Sequence, residues 1–335
     1  MTPRLSPLVS VVVPVLNEAD HLPELLRRLR AVADVEILYR FEFLFVDDGS
    51  RDGTVAALCA VAEQDSRIKV LEFTRNFGHQ VALTAGITEA AGDAVVTLDG
   101  DLEHPPERIH AFLRAWEQGA QVVLGVRQGR KVSWFKRKSA AAFYALINRW
   151  SDVPVVPDAA DFRLLSRPAV DELLRLGERA RFLRGLVGWI GYEPVLVPYH
   201  EGERRHGATR YSLARMLWLA ADALTSFSAV PLRISTLAGA VTSMAAAAYG
   251  VYVLLMRVWH PERIVSGWTS LVLTLLVLGG IQLFSLGIVG EYLYRIYDEV
   301  KGRPLYVVRR RVGFEELSAP ARPSPSRESR TGVPS

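Results

Sequence analysis

The chain has 335 residues, half of them apolar, with 40 Lys and Arg against 36 Asp and Glu, a formal charge of +4 and one cysteine. That length leaves room for an α/β domain of about 200 residues plus an appendage. The lone Cys59 excludes an internal disulfide framework and fits a reducing compartment as a small buried apolar side chain. Basic residues crowd 127–138, 204–215 and 295–311 without the interleaved aromatics or module signatures of a nucleic-acid binder, which leaves lipid or nucleotide phosphates as the expected anions.

Met1–Leu8 is short, contains two prolines and does not read as a cleavable signal peptide. Val9–Val15 is a continuous β-branched run, and Asp20 then opens a helical pattern with Leu22, Leu25, Leu26 and Leu29 on one face. Phe43–Val46 is the next strand, ending at Asp47-Asp48-Gly49-Ser50. A helix over about Asp52–Glu63, a strand over Ile68–Phe73, a helix over about Gln80–Ala90 and a strand over Ala94–Leu98 continue the series. Strand and helix in alternation predict a mostly parallel sheet covered on both faces, with ligands bound beyond the carboxyl ends of its strands.

Polar clusters stand at those ends: Asn17-Glu18, Asp47-Asp48 and Asp99-Gly100-Asp101. Three acidic groups in one place repel each other unless a cation lies among them, and a divalent ion bridging a diphosphate supplies that charge. Asp99 and Asp101 can turn toward one point where strand gives way to loop, and their hard oxygens suit Mg²⁺ or Mn²⁺. Glu103 and His104 either add a ligand or shape the turn before Pro105-Pro106. Asp-x-Asp alone also occurs in ordinary turns, and Asp47-Asp48-Gly-Ser is a plausible helix cap by itself.

From Ile234 to Met256 there are 23 residues without a charge, and from Ile264 to Gly290 there are 27, each long enough to cross a bilayer. Arg233 and the basic cluster upstream, with Arg295, Lys301, Arg303 and Arg309–Arg311 downstream, outweigh Arg257 and Arg263 in the link, so both termini are expected in the cytosol. Ser212–Phe227 carries apolar residues at helical spacing behind several arginines and reads as an interfacial helix or a packed core helix. Beyond Val312 the Pro, Ser and Arg content predicts a disordered tail. The expected organisation is a soluble domain over 1–205, a juxtamembrane helix region over 206–232, a membrane hairpin over 233–291 and a cytosolic C-terminal segment over 292–335.

In combination these motifs resemble the family-2 inverting glycosyltransferases of the GT-A fold, and within them the polyprenyl-phosphate glycosyltransferases. VVVPVLNE (11–18) resembles the first strand and its Asn-Glu turn, FVDDGSRDGT (45–54) the nucleoside-holding strand, LDGDLEHPPE (98–107) the metal-binding segment and GVRQGR (125–130) an acceptor loop. AADFRLLSR (159–167) and RFLRGLVGWIGY (181–192) resemble the bactoprenol glucosyltransferase branch. The resemblance implies that Pro14, Asn17, Glu18, Asp47, Asp48, Asp99 and Gly100 hold the nucleotide sugar. Asp99 and Asp101, with Glu103, would hold Mg²⁺ or Mn²⁺, while Arg127, Arg137, Arg204 and Arg210 meet phosphate through paired charge-assisted hydrogen bonds. Asp161 and Arg163 complete the implied catalytic set, Asp161 positioning sugar or acceptor and Arg163 pairing with Asp161 or with phosphate. The implied partners are a UDP-sugar, UDP-glucose first, a polyprenyl phosphate and the bilayer, in an integral protein of the cell (inner) membrane compatible with a homo-oligomer. Galactose, N-acetylhexosamine and aminoarabinose donors stay open.

Two positions depart from the family pattern. Ala160 stands where glycine usually precedes Asp-Phe-Arg, and Thr209-Arg210 replaces a hydroxyl residue followed by lysine. A processive polysaccharide synthase would carry Gln-x-x-Arg-Trp where this chain has Arg181-Phe182-Leu183-Arg184-Gly185. A non-catalytic nucleotide-sugar sensor would tolerate loss of an acidic cluster, and all three are present. Two spans without ionisable residues are poor material for a flippase.

Overall fold

A computed structural model describes residues 6–128, 159–179, 181–200, 230–259 and 267–314. The valines of the first apolar run are almost completely buried on both faces, as a strand covered by helices on two sides requires. The elements in chain order are β1 (Leu8–Val15), α1 (Leu22–Val35), β2 (Arg40–Asp47), α2 (Thr54–Ala62), β3 (Ile68–Phe73), α3 (His79–Glu89), β4 (Ala94–Thr97), α4 (Ile109–Glu117) and β5 (Val122–Gln128). They are followed by β6 (Ala159–Ser166), α5 (Arg167–Arg175), α6 (Leu183–Trp189), β7 (Pro194–His200), α7 (Val230–Trp259), α8 (Trp268–Val300) and β8 (Val308–Val312).

Among the described residues one eight-stranded sheet runs in the order β7-β5-β6-β4-β1-β2-β3-β8. Only β6 and β8 run against the rest, so the expected mostly parallel sheet is present. Strand order reverses between β1 and β4, and the crevice beyond their carboxyl ends is where such sheets bind ligands. One core joins Val9, Val11, Val13, Phe43 and Phe45 to Leu25 of α1, Leu58 of α2 and Phe112 of α4. The opposite face joins Val12, Leu44 and Val95 to Leu83 of α3, Val170 of α5 and Leu186 of α6.

Close approach of α3 to the sheet depends on one glycine. A Cβ at Gly86 would lie 2.2 Å from Val12 Cγ1 and 3.1 Å from Val46 Cγ2. Because α3 is seated this closely, its first residues, His79 and Gln80, reach the carboxyl edge of the sheet.

The first uncharged run lies in α7 and residues 268–290 of the second in α8, and the two helices lie against each other. Among the described residues one stretch, Val277–Val300, is long and apolar enough to cross a membrane, and none of it is buried within the protein. Leu283 and Phe284 are largely exposed, 72% and 67%, which suits a lipid-facing surface. The expected interfacial helix at 212–227, Arg137, Arg204, Arg210 and the tail beyond Phe314 lie outside the described residues.

The basic run Arg309–Arg311, expected only as a charged flank, is part of strand β8 and pairs antiparallel with β3. Arg309 and Arg310 both donate to Glu72, at 3.1 Å each, and Arg311 donates to Glu89 at 2.5 Å. Alternating Val308, Arg310 and Val312 carry no hydrophobic run long enough to announce a strand, so the pairing is set by the exposed edge of β3 rather than by propensity.

Replacing Gly86 by alanine forces a methyl group into Val12. It is expected to lower the unfolding free energy by about 1–3 kcal/mol, read by chemical denaturation of the detergent-purified protein.

Candidate functional site

The loops after β1 and β2 are fastened to each other by backbone donors. Asn17 takes φ 57°, a left-handed conformation asparagine tolerates; its N–H donates to Ser50 Oγ at 2.9 Å and its Oδ1 accepts from the Arg51 N–H at 2.8 Å. Glu18 donates its N–H to Thr54 Oγ1 at 2.9 Å, and its carboxylate meets His21 Nδ1 at 2.6 Å. Asp47 accepts from the N–H groups of Gly49 and Ser50, both at 3.1 Å. Asp48 accepts from Phe77 at 2.6 Å and Gly78 at 3.0 Å, tying the β2 loop to the turn before α3. Burial pushes both carboxyls up and these N–H groups oppose it. Pro14 lies inside β1 beside Val46, and Gly100 packs so close that a Cβ there would stand 3.2 Å from the Pro14 carbonyl oxygen.

Asp99, just past β4, has a different environment. Its Oδ1 is buried without a hydrogen-bond partner and faces His79 Nε2 at 3.4 Å. Burial pushes its carboxyl up to about 6; the nearby charges of Asp161 and Asp101 add to this and His79 opposes it. Asp101 accepts from the Glu103 N–H at 3.0 Å, across Leu102 at φ 64°. Glu103 is nearly buried and points to Arg127, Nη2 to Oε2 3.6 Å, while Arg127 Nε donates to the Tyr199 hydroxyl at 3.1 Å.

His104 is fully buried. Its Nδ1 accepts from the Asp99 N–H at 3.0 Å, so the neutral ring carries its proton on Nε2. The 3.5 Å separation between Nδ1 and Asp99 Oδ2 is therefore not an ion pair. Burial, aided by the Arg127 charge, pulls its pKa down to about 3. Stacked on Phe162 at 5.1 Å and edge-on to Tyr199 at 5.7 Å, His104 shapes the turn. No three acidic, histidine or cysteine side chains converge as a metal cage among the described residues, so Asp99, Asp101 and Glu103 do not form a closed triad.

Asp161 sits on β6 beside β4, where Thr97 Oγ1 donates to its carbonyl at 2.5 Å. Its carboxylate pairs with Arg163 and accepts from Gln80 Nε2 and Arg184 Nη2, each at 3.1 Å, with His79 Nε2 at 3.7 Å. Burial alone would push this carboxyl up, but the His79 contact and the Arg163 and Arg184 charges hold it far below the usual carboxylate range. Arg163 is 2% exposed, so the pair is sealed.

The structure thus brings Asp99, Asp101, Glu103, Arg127, Asp161 and Arg163 to one edge of the sheet. It adds His79, Gln80 and Arg184, which the sequence did not single out. A usable signal was there: Gly78, at φ 104°, ends the loop after β3, so His79-Gln80 occupies the same strand-end position as the acidic pairs.

An open α/β sheet with a polar cluster at its switch point is the class of protein that binds ligands beyond its strand ends. A family model described as "Glycosyl transferase family 2" matches residues 10–174, and another described as "GtrB C-terminal hairpin" matches 230–296. An uncharacterized glycosyltransferase, YkcC of Bacillus subtilis, is 42% identical over 91% of this chain and 94% of its own. A prophage bactoprenol glucosyl transferase homolog of Escherichia coli is 38% identical over 90% and 98%, and the SfII prophage-derived bactoprenol glucosyl transferase of Shigella flexneri 37% over 90% and 97%. The chain belongs to glycosyl transferase family 2.

Two substitutions separate the two carboxylates. Asp161→Asn leaves Arg163 buried beside a neutral amide and is expected to cost about 3–5 kcal/mol of stability in denaturant titrations at pH 7. Asp99 binds its proton more tightly folded than unfolded, so its ionisation weakens the fold as pH rises from about 4 to about 6. Asp99→Asn should accordingly stabilise the ligand-free protein above pH 6, by up to about 3 kcal/mol, and the gain should vanish below pH 4 in thermal melts across that range.

Proposed function

We propose that this glycosyltransferase moves a hexose, glucose from UDP-glucose in the first instance, onto a polyprenyl phosphate with inversion at the anomeric carbon. The observation that carries it is the contrast between two neighbouring carboxylates: Asp161 is saturated by Gln80, Arg163 and Arg184, whereas Asp99 keeps a buried oxygen without a hydrogen bond. The bactoprenol names of the relatives support the acceptor, because they cover nearly the whole chain.

The donor set fits a divalent cation. Asp99 carries an orphan oxygen and a carboxyl pushed up to about 6, and Asp101 lies two residues away with most of its lone pairs unused. One or two carboxylates completed by phosphate oxygens is the usual arrangement for Mg²⁺ and serves Mn²⁺ equally. When bound, such an ion stabilises the negative charge that develops on the departing diphosphate. Glu103, directed at Arg127, holds that arginine near the same segment, where its guanidinium suits an acceptor phosphate.

Asp161 does not serve as a base on this account, since its proton affinity is held too low by the surrounding cations. None is needed: a lipid monophosphate has a second pKa of about 6 and attacks as the dianion. Asp161 instead fixes Arg163, Arg184 and Gln80 around the reacting groups. Asn17, Glu18, Asp47, Asp48, Pro14 and Gly100, at the ends of β1, β2 and β4, would contact base and ribose.

The topology supports a membrane hairpin with the catalytic domain and both termini in the cytosol. His200 of β7 and Val308 of β8 belong to one sheet, so the chain between them crosses any bilayer an even number of times. With α8 apolar enough to cross, α7 is its natural return.

Detergent-solubilised protein incubated with undecaprenyl phosphate and radiolabelled UDP-glucose, alongside other nucleotide sugars, is expected to yield labelled lipid only with Mg²⁺ or Mn²⁺ present. Asp101→Ala should lower that transfer by roughly 100-fold or more. Undiminished transfer by the variant, or in excess chelator, would remove the metal from the mechanism.

A further inference from the structure

Strand β8 and its lead-in, Lys301–Val312, bind the end of membrane helix α8 to the loop that delivers His79 and Gln80. The ring of Tyr306 stacks on Phe73 at 5.0 Å, and Phe73 meets Phe77 edge-on at 5.6 Å. Tyr306 and Val308 also pack against the small core formed by Val46, Leu71, Phe73, Ala82 and Ala85. The Thr74 N–H donates to the Val307 carbonyl at 3.0 Å, and Arg309 Nη2 donates to the Thr74 carbonyl at 2.9 Å.

The ring stack and both hydrogen bonds land on residues 73–77, immediately before α3. The Phe77 N–H is the donor to Asp48, and Gln80 links Asp161 to the Leu183 N–H at 3.2 Å. A second tie reaches the other side of the same cluster. The Arg179 N–H donates to Glu299 Oε1 at 2.8 Å and its guanidinium to the Arg303 carbonyl, a few residues before Arg184.

We infer that Tyr306 is a positioning residue for donor binding, acting through Phe73 and Phe77 to hold residues 74–78 and the start of α3 against Asp48, Asp99 and Asp161. The membrane helix is thereby coupled mechanically to the nucleotide-sugar site, and a chain whose strap is undocked retains its fold but presents a loosened site. The ring does the holding: the hydroxyl is dispensable, and the stack on Phe73 is not. This rests on the proposed use of a nucleotide sugar, and the experiment separates the two.

Binding of UDP-glucose with MnCl₂ to the full-length, detergent-purified protein is measured by calorimetry for the unmodified chain, Tyr306→Ala and Tyr306→Phe, with thermal melts of each. Steady-state transfer to undecaprenyl phosphate is measured in parallel. Tyr306→Ala is expected to weaken UDP-glucose binding and raise the donor KM about 10-fold with the acceptor KM unchanged, while Tyr306→Phe behaves as the unmodified chain. Phe77→Leu, which keeps an apolar side chain under the strap, should reproduce the donor-specific defect. Unchanged donor affinity in Tyr306→Ala, or a loss that follows only the fraction of folded protein in the melts, would overturn the inference. If the unmodified chain binds no UDP-glucose while another nucleotide sugar is bound, the same comparison is made with that donor. Binding of none by the unmodified chain overturns the proposed function and the inference with it.

Discussion

Negative charge gathered at the carboxyl edge of a parallel sheet has to be neutralised, and the means by which each carboxylate is satisfied sort the site into scaffold and chemistry. Asp47 and Asp48 are quenched by backbone N–H groups of the turns they organise. Asp161 is quenched by arginines and Gln80, strongly enough to overcome its burial. Asp99 Oδ1 faces His79 at 3.4 Å without a hydrogen bond, and this oxygen is the ligand we propose for a divalent cation. His104 Nε2, in the same segment, is likewise buried without a hydrogen-bond partner, so unmet polar atoms gather beside Asp99.

The sheet accounts for why these groups meet at all. β1 and β4 are neighbours with their crossovers on opposite sides, so the loops after them diverge and leave a crevice. α3 is drawn against that crevice by the missing side chain of Gly86, and α6 brings Arg184 from the far side. Asp161 is the node common to both, which makes the buried Asp161–Arg163 pair an organising element as well as a charge balance.

The apolar helix α8 and the glycosyltransferase sheet are not independent modules in this chain. The polypeptide returns from α8 to complete the edge of the catalytic sheet, covering the unpaired groups of β3 that would otherwise invite association. Three consecutive arginines at this edge meet Glu72 and Glu89 while staying exposed, so a cluster that by charge alone reads as a flank of the apolar helix also pairs with the sheet edge.

Much of this was legible in the linear chain. Alternation of apolar runs with helical patterns determined a mostly parallel sheet, because strands buried on both faces must be continuous in Val, Ile and Leu. Strand-end position singled out Asp47, Asp48, Asp99 and Asp101 as candidates, and uncharged length marked the helices near the C-terminus. Periodicity and composition are local properties, and these conclusions needed nothing more. Tertiary structure alone decided which carboxylate is spent and which is poised, since Asp48 finds its donors 29 residues away and Asp161 finds Gln80 across 81. It decided likewise that His104 is a buried wedge, that His79, Gln80 and Arg184 belong to the site, and that Val308–Val312 is a strand. Partners so far apart in sequence are set by packing, and no local pattern encodes them.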